Sequence, residues 1–182
     1  KLKTVLSGQQ QCQRRLTAAE TREQSLQKMQ AAYEGFGTGI KTVLKASEYW
    51  RENIIGVAAE LLQVEAKYVT ALETALGEGA QNLVTVDAAT AKSAIAYLKA
   101  NNAGRATFLP LDTVKPRSLS VEEERLATLP GVCGYAVDLV KYDKQAENAI
   151  RFLLGRVLIA ENIDAALAAA KAGKFRIRVV TL

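Results

Sequence analysis

The chain has 182 residues, 49% hydrophobic and 24% charged, a balance that supports a packed core and excludes a disordered or fibrous class. It has no histidine and only two cysteines, Cys12 and Cys133, far apart in the chain. That removes the commonest general base, every Ser-His-Asp or Cys-His constellation, a disulfide framework and a Cys-x-x-Cys metal site.

The net charge of +5 sits at the two ends. Residues 1–50 carry eight basic and four acidic side chains, and Lys171, Lys174, Arg176 and Arg178 close the chain with no acid among them. No apolar run approaches the ~20 residues that would cross a bilayer. A cytosolic protein with no membrane partner is expected.

In chain order, Leu2, Val5, Gln9, Cys12, Leu16, Ala19, Glu23, Leu26, Gln30 and Tyr33 recur at alternating steps of three and four, and seven of the ten are apolar or aromatic. This is the seam of a coiled coil. It predicts a helical arm over residues 1–33, ~50 Å long at ~1.5 Å per residue. No later segment offers a second heptad helix of that length, so the mate is another chain or sequence beyond Leu182.

Gly35-Phe-Gly37-Thr-Gly39 breaks the arm. Clustered glycines can cradle a phosphate, but that pattern needs Gly directly before Lys and a strand before the loop. Here Ile40 precedes Lys41 and a helix precedes the glycines, so their role is to end the arm and admit the chain to the domain. A short helix over Ile40 to Ala46 and the aromatic pair Tyr49-Trp50 follow.

The next elements are strand Val57 to Val64, helix Ala66 to Leu76, strand Asn82 to Val86, helix Ala88 to Ala100 and strand Arg105 to Leu109. Asp87 and Asp143 are the expected N-caps of the helices they precede. Residues 112–129, with Pro116 and Glu122-Glu-Glu, read as a linker holding one or two helical turns.

Beyond the linker the pattern repeats. Gly56-Val-Ala-Ala-Glu-Leu-Leu through Ala71-Leu72 to Leu76-Gly77 recurs 78 residues later as Gly134-Tyr-Ala-Val-Asp-Leu-Val through Ala149-Ile150 to Leu154-Gly155. Leu83-Val-Thr-Val-Asp aligns with Val157-Leu-Ile-Ala-Glu, and the closing strands end at Leu111 and Leu182. The expected fold is mixed α and β (α+β), a duplicated two-lobe domain with pseudo-twofold symmetry behind a coiled-coil helix. Its parts are the arm (1–33), a first lobe (34–111), the linker (112–129) and a second lobe (130–182).

The acids Glu60, Glu65, Asp138 and Asp143 recur between the copies, as symmetric metal ligands or as shared caps of turns. Neither a catalytic pair nor a cofactor nor a metal is nominated. Gly35, Gly37, Gly56, Gly77, Gly134 and Gly155 are assigned to turns and element ends. In Phe175-Arg-Ile-Arg-Val-Val, alternation puts Phe175, Ile177 and Val179 on one face and Arg176 with Arg178 on the other. With Lys171 and Lys174 they form either a DNA-phosphate surface or a solvated strand face.

With these parts in view, the sequence resembles the hinge domain of the structural maintenance of chromosomes (SMC) proteins, most like the bacterial condensin type. The carrying residues are Tyr33-Glu-Gly-Phe-Gly-Thr-Gly-Ile-Lys-Thr-Val-Leu, Val57-Ala-Ala-Glu-Leu-Leu, Ala75-Leu-Gly-Glu-Gly-Ala-Gln-Asn, Gly104-Arg-Ala-Thr-Phe-Leu-Pro-Leu, Pro130-Gly-Val-Cys-Gly and Arg176-Ile-Arg-Val-Val-Thr-Leu. The resemblance implies a non-catalytic module of chromosome condensation and segregation at the apex of an antiparallel coiled coil. It further implies a ring-shaped homodimer, DNA contact near the junction with the coil, a nucleoid location and an ATPase built from distant head domains.

The chain departs from the family pattern in two places. A glycine-rich segment and the descending helix follow the Val-Thr-Leu strand in the family and are lacking here, and Asn53-Ile-Ile-Gly56 replaces a Pro-Gly-Val-x-Gly turn. The competing reading is a small nucleotide-binding or regulatory α/β domain with a dimerising helix, which predicts a saturable ligand at a strand end.

Overall fold

A computed structural model describes residues 12–17, 19–23 and 35–182. The chain forms two compact units, residues 1–37 and 38–182. In the first, residues 12–17 and 19–23 are helical, with Thr21 Oγ1 donating to Thr17 O at 2.8 Å. Of the predicted seam, Cys12, Leu16, Ala19 and Glu23 fall on these segments, and Leu16 is 54% exposed. The other six seam positions lie outside the described residues.

The second unit begins with α1 (Thr38–Leu44) and a 3-10 turn, Tyr49–Asn53, whose Trp50 is buried edge-on against Tyr97 with ring centroids 5.4 Å apart. Strand β1 (Ile54–Val57) leads to a 3-10 turn, Ala58–Leu61, and then β2 (Leu62–Val64). After α2 (Val69–Leu76) come β3 (Leu83–Thr85), α3 (Ala88–Ala100) and β4 (Phe108–Pro110). The one-turn α4 (Val121–Glu124) precedes β5 (Val132–Tyr135), a 3-10 turn at Ala136–Leu139 and β6 (Val140–Tyr142). Helix α5 (Glu147–Leu154), β7 (Val157–Ala160), α6 (Ile163–Ala172) and β8 (Arg178–Thr181) complete the unit.

The strands form a sheet of order β1-β3-β4, a ribbon β2-β6 and a sheet of order β5-β7-β8. The two three-stranded sheets share one design. In each the first strand is antiparallel and the last parallel to a fully buried centre strand. Each first strand also breaks register at the same place, between Ile54 and Gly56 in one and between Val132 and Gly134 in the other.

In the ribbon, Gln63 pairs with Lys141, its counterpart 78 residues on, and Leu62 pairs with Tyr142 as Val64 does with Val140. That register is what a twofold axis between Gln63 and Lys141 requires.

Several sequence expectations change. The strand expected over residues 57–64 is two strands, because the Ala58–Leu61 turn lifts the chain out of the first sheet. Ala58, wholly buried, still donates to Asn82 O at 2.8 Å, whereas Leu62–Val64 find their partners in Val140–Tyr142 of the second half. The copies also align one residue differently: Leu83 faces Val57 as Leu158 faces Tyr135, so Leu83-Val-Thr corresponds to Leu158-Ile-Ala.

The matching N-caps of the alanine-rich helices are therefore Asp87 and Asn162. They accept from Thr90 N at 2.7 Å and Ala165 N at 2.9 Å, and the Thr90 bond holds the Asp87 carboxyl below its ordinary range. Asp143 caps the turn before α5 through Gln145 N, but Glu65 in the same position reaches Lys67 at 3.3 Å instead. One added methylene exchanges a cap for an exposed ion pair.

The core crosses the duplication. Ala71, Leu72 and Ala75 of α2 belong to the cluster built on Tyr135, Val140, Ile150, Leu158 and Ile159 from the second half. Reciprocally, Ala149 of α5 packs with Ala58, Val84 and Leu109 of the first half. Each half lends a helix face to the other's core.

Candidate interaction surfaces

Two kinds of surface stand out, the outer edges of the sheets and the basic end of the chain. At the last strands, main-chain direction follows from the ladders. Leu182 N–H bonds Ala160 O at 3.0 Å, so Arg178 and Val180 also turn their peptide groups toward β7, while Val179 and Thr181 turn theirs outward. In the first sheet Leu111 N–H bonds Thr85 O at 2.9 Å, which leaves Phe108 and Pro110 facing outward from β4. Proline has no N–H, so the β4 edge lacks a donor where β8 has Thr181. At the opposite edges, β1 and β5 carry the register breaks, which blunt strand addition.

All four predicted basic residues, Lys171, Lys174, Arg176 and Arg178, are exposed. Arg178 is committed elsewhere: its guanidinium donates to Ala75 O at 2.9 Å and Thr74 O at 2.7 Å, closing the C-terminal turn of α2. The expected alternation holds from Arg176 to Val179, with both arginines exposed and Ile177 buried, but not at Phe175. Lys174 and Phe175 adopt left-handed backbone (φ 51° and 57°), so the strand starts at Arg178, with Phe175 71% exposed and Ile177 buried. Glu122 and Glu123 line the same cleft as Lys174 and Arg176, which tempers the positive potential there.

Of the six glycines singled out, Gly56 and Gly134 mark the two register breaks, Gly77 and Gly155 end α2 and α5, and Gly35 lies in the turn before α1, with Gly37 immediately before that helix. The tightest backbone approach is made by a glycine outside that group. A Cβ on Gly39 would sit 2.3 Å from Arg105 O, and Gly104 (φ +88°) lies against it. Gly39 thus serves to pack α1 against the 104–105 backbone and does not open an anion cradle. The signal for this was the Gly104-Arg segment itself, whose partner only the fold reveals.

Glu60 and Asp138 occupy equivalent 3-10 turns, and the described residues hold no cluster of acids, cysteines and histidines able to bind a metal. An open cleft of about 380 Å³ beside the ribbon is lined by Gln63, Lys67, Tyr68, Asp138 and Lys141, a mixed surface in which Lys67 is taken up by Glu65 and the Tyr68 ring.

The segment between the sheets is docked by charge. Ser120 and Glu123 form a capping box on α4, and Glu123 Oε1 accepts from Arg156 Nη2 at 2.6 Å. The Arg156 bond, with help from Ser120 N–H, lowers the Glu123 pKa from 4.5 to about 2. A carboxylate with a depressed folded-state pKa contributes stability above its unfolded pKa and loses it as pH falls through the folded value. Urea midpoints of the wild type should therefore drop between pH 4.5 and about pH 2, and the drop should be shallower in Glu123→Gln.

The family model of the SMC proteins' flexible hinge domain matches residues 51–170, a span that holds the first sheet, the ribbon and β5 and β7 of the second sheet. This chain belongs to the SMC hinge family.

The hinge is 44% identical over 165 residues to the chromosome partition protein Smc of Bacillus subtilis (strain 168), covering 90% of this chain and 14% of that protein. The Smc protein of Desulfitobacterium hafniense (strain Y51) is 39% identical over 176 residues, covering 95% of this chain. The hinge spans only 15% of the length of that relative. Among solved structures, an asymmetric dimer of the Geobacillus stearothermophilus SMC hinge domain superposes with a TM-score of 0.88 at 41% identity, covering 94% of this chain and 68% of that one. The Pyrococcus furiosus SMC hinge domain gives 0.65 at 32% identity, covering 83% and 75%.

Proposed function

We propose that this hinge is the joining module of a chromosome-organising protein and that it works by pairing with a second copy of itself. In this reading, residues 1–33 are the ascending arm of a coiled coil, 34–111 and 130–182 are the two lobes, related by a pseudo-twofold, and 112–129 link them. A descending helix from sequence beyond Leu182 pairs with the arm. The hinge is not an enzyme; the ATP chemistry belongs to head domains elsewhere in the full-length protein, which acts at the nucleoid in the cytoplasm.

The observation that carries this is the outer edge of β8, with outward peptide groups at Val179 and Thr181 and no proline or register break in the strand. Strand addition there supplies geometry through main-chain hydrogen bonds. The Geobacillus relative was solved as an asymmetric dimer, which supports the same reading.

Thr181→Pro is the test. It removes one outward donor, and the equivalent place in β4 is already Pro110, so the fold accommodates proline there. Light scattering should give a dimer for the wild type and a monomer for Thr181→Pro, with an unchanged circular dichroism spectrum. A monomeric wild type, or a dimeric variant, would reject the proposed edge.

A second role, weak sequence-independent contact with DNA, is supported by the exposure of Lys171, Lys174 and Arg176. Changing all three to Glu should lower affinity for any duplex alike and reduce the slope of log K against log salt by roughly 3. An unchanged slope would remove these residues from the contact. Arg178 is left out because its loss would disturb α2.

A further inference from the structure

The Arg178 clamp joins two elements that the duplication treats as separate. Its donors span 103 residues in sequence to reach Ala75 O and 104 to reach Thr74 O. Both carbonyls lie in the last turn of α2, where helix geometry leaves acceptors without donors, and Gly77 N–H goes to Glu73 O instead. A guanidinium is suited to this place because it spans two acceptors at once and complements the negative end of the helix dipole.

The duplication supplies an internal comparison. Counterparts of Thr74 and Ala75 are Phe152 and Leu153 in α5, 78 residues on. Aligned through the paired strands, the counterpart of Arg178 is Thr107, directly before β4. Thr107 is too short to clamp a helix end, and its carbonyl accepts from Leu83 N at 2.8 Å. The clamp therefore exists at one strand only. That strand, β8, carries the complete set of outward donors; β4, without the clamp, carries Pro110.

We propose that Arg178 is a positioning residue for self-association: by tying the first residue of β8 to the end of α2, it holds the β8 edge in pairing geometry and couples that edge to the contact between the halves. This rests on the reading of β8 as the dimer edge. The coupling follows from packing. Leu72 and Ala75 of α2 sit in the second-half core with Ile177, the residue immediately before Arg178. A shift of α2 is thus transmitted to β8 by side-chain packing below and by the guanidinium above.

The experiment compares wild type, Arg178→Ala, Arg178→Lys and Asp87→Ala. The last removes the N-cap of α3 and lowers stability at a site in the first half, away from the clamp. Sedimentation equilibrium gives the dimer dissociation constant, and hydrogen exchange gives protection at the outward Val179 and Thr181 amides and at the inward Val180 amide. Arg178→Ala should weaken the dimer about tenfold or more, as loss of a hydrogen-bonded charge does. Arg178→Lys, with one point donor, should fall between, and Asp87→Ala should leave the constant unchanged.

In the monomeric Thr181→Pro background, Arg178→Ala should still speed exchange at Val180 by a similar factor, which reads the clamp without any dimer. A folded Arg178→Ala protein with wild-type dimer affinity and wild-type Val180 exchange would overturn the proposal. Equal weakening by Asp87→Ala would also overturn it, by reducing the effect to general stability. A monomeric wild type with faster Val180 exchange in Arg178→Ala would instead reject the dimer edge while keeping the clamp.

Discussion

Gly39→Ala should be the most damaging single-methyl substitution in the hinge. The added Cβ would lie 2.3 Å from Arg105 O, 2.6 Å from its carbonyl carbon and 2.9 Å from its nitrogen, all backbone atoms that cannot rotate away. The opposing strand of chain cannot retreat without cost either, because Gly104 holds φ at +88° and the following residues feed Thr107 O into its bond with Leu83 N. Overpacking of this kind costs about 1–3 kcal/mol and more when backbone must move. For a domain of this size each kcal/mol is worth roughly 2–4 °C, so the melting temperature should fall by about 5–10 °C.

Gly35→Ala is the comparison. No atom lies within 4 Å of its Cβ, and only the backbone conformation at φ +97° is strained. It should cost about 1–2 kcal/mol. A Gly39→Ala protein as stable as Gly35→Ala would mean that α1 does not pack on the 104–105 backbone.

What the sequence made legible was local. Helix α3 matches its predicted range, Ala88 to Ala100, because a capping Asp87 starts it and the buried face Thr90, Ala91, Ala94 and Leu98 follows the helical period. The recurrence was legible from the glycine spacing together with the acids and aliphatics that match between the copies. The closing strands align correctly at Leu111 and Leu182, which makes Pro110 and Thr181 recognisable as counterparts from their distance to the chain positions that end each copy.

The rest depended on partners far away in the chain. The division of Val57 to Val64 into two strands is set by Asn82 on one side and Val140 to Tyr142 on the other, and neither leaves a mark in the eight residues themselves. Arg178 read as a free cation on an alternating strand, since nothing around it announces two carbonyls a hundred residues earlier. Gly39 was hidden in a glycine cluster whose first member, Gly35, has open surroundings.

Leu72→Ala tests the exchange of helices between the halves. Leu72 belongs to the first repeat, yet it is 2% exposed within a cluster containing Tyr135, Val140, Ile150, Leu158 and Ile159 of the second. Truncation should cost about 2–5 kcal/mol, the range for a buried leucine whose cavity closes only in part. Two beadlike lobes would confine the damage to the first sheet and show a second unfolding step that the mutation leaves alone. Interleaved cores demand the opposite: one cooperative transition, displaced as a whole, with the largest loss of amide protection at Val157–Ala160 in the centre of the second sheet. Unchanged protection at that strand in a folded Leu72→Ala protein would show that Leu72 does not carry the contact between α2 and the second sheet.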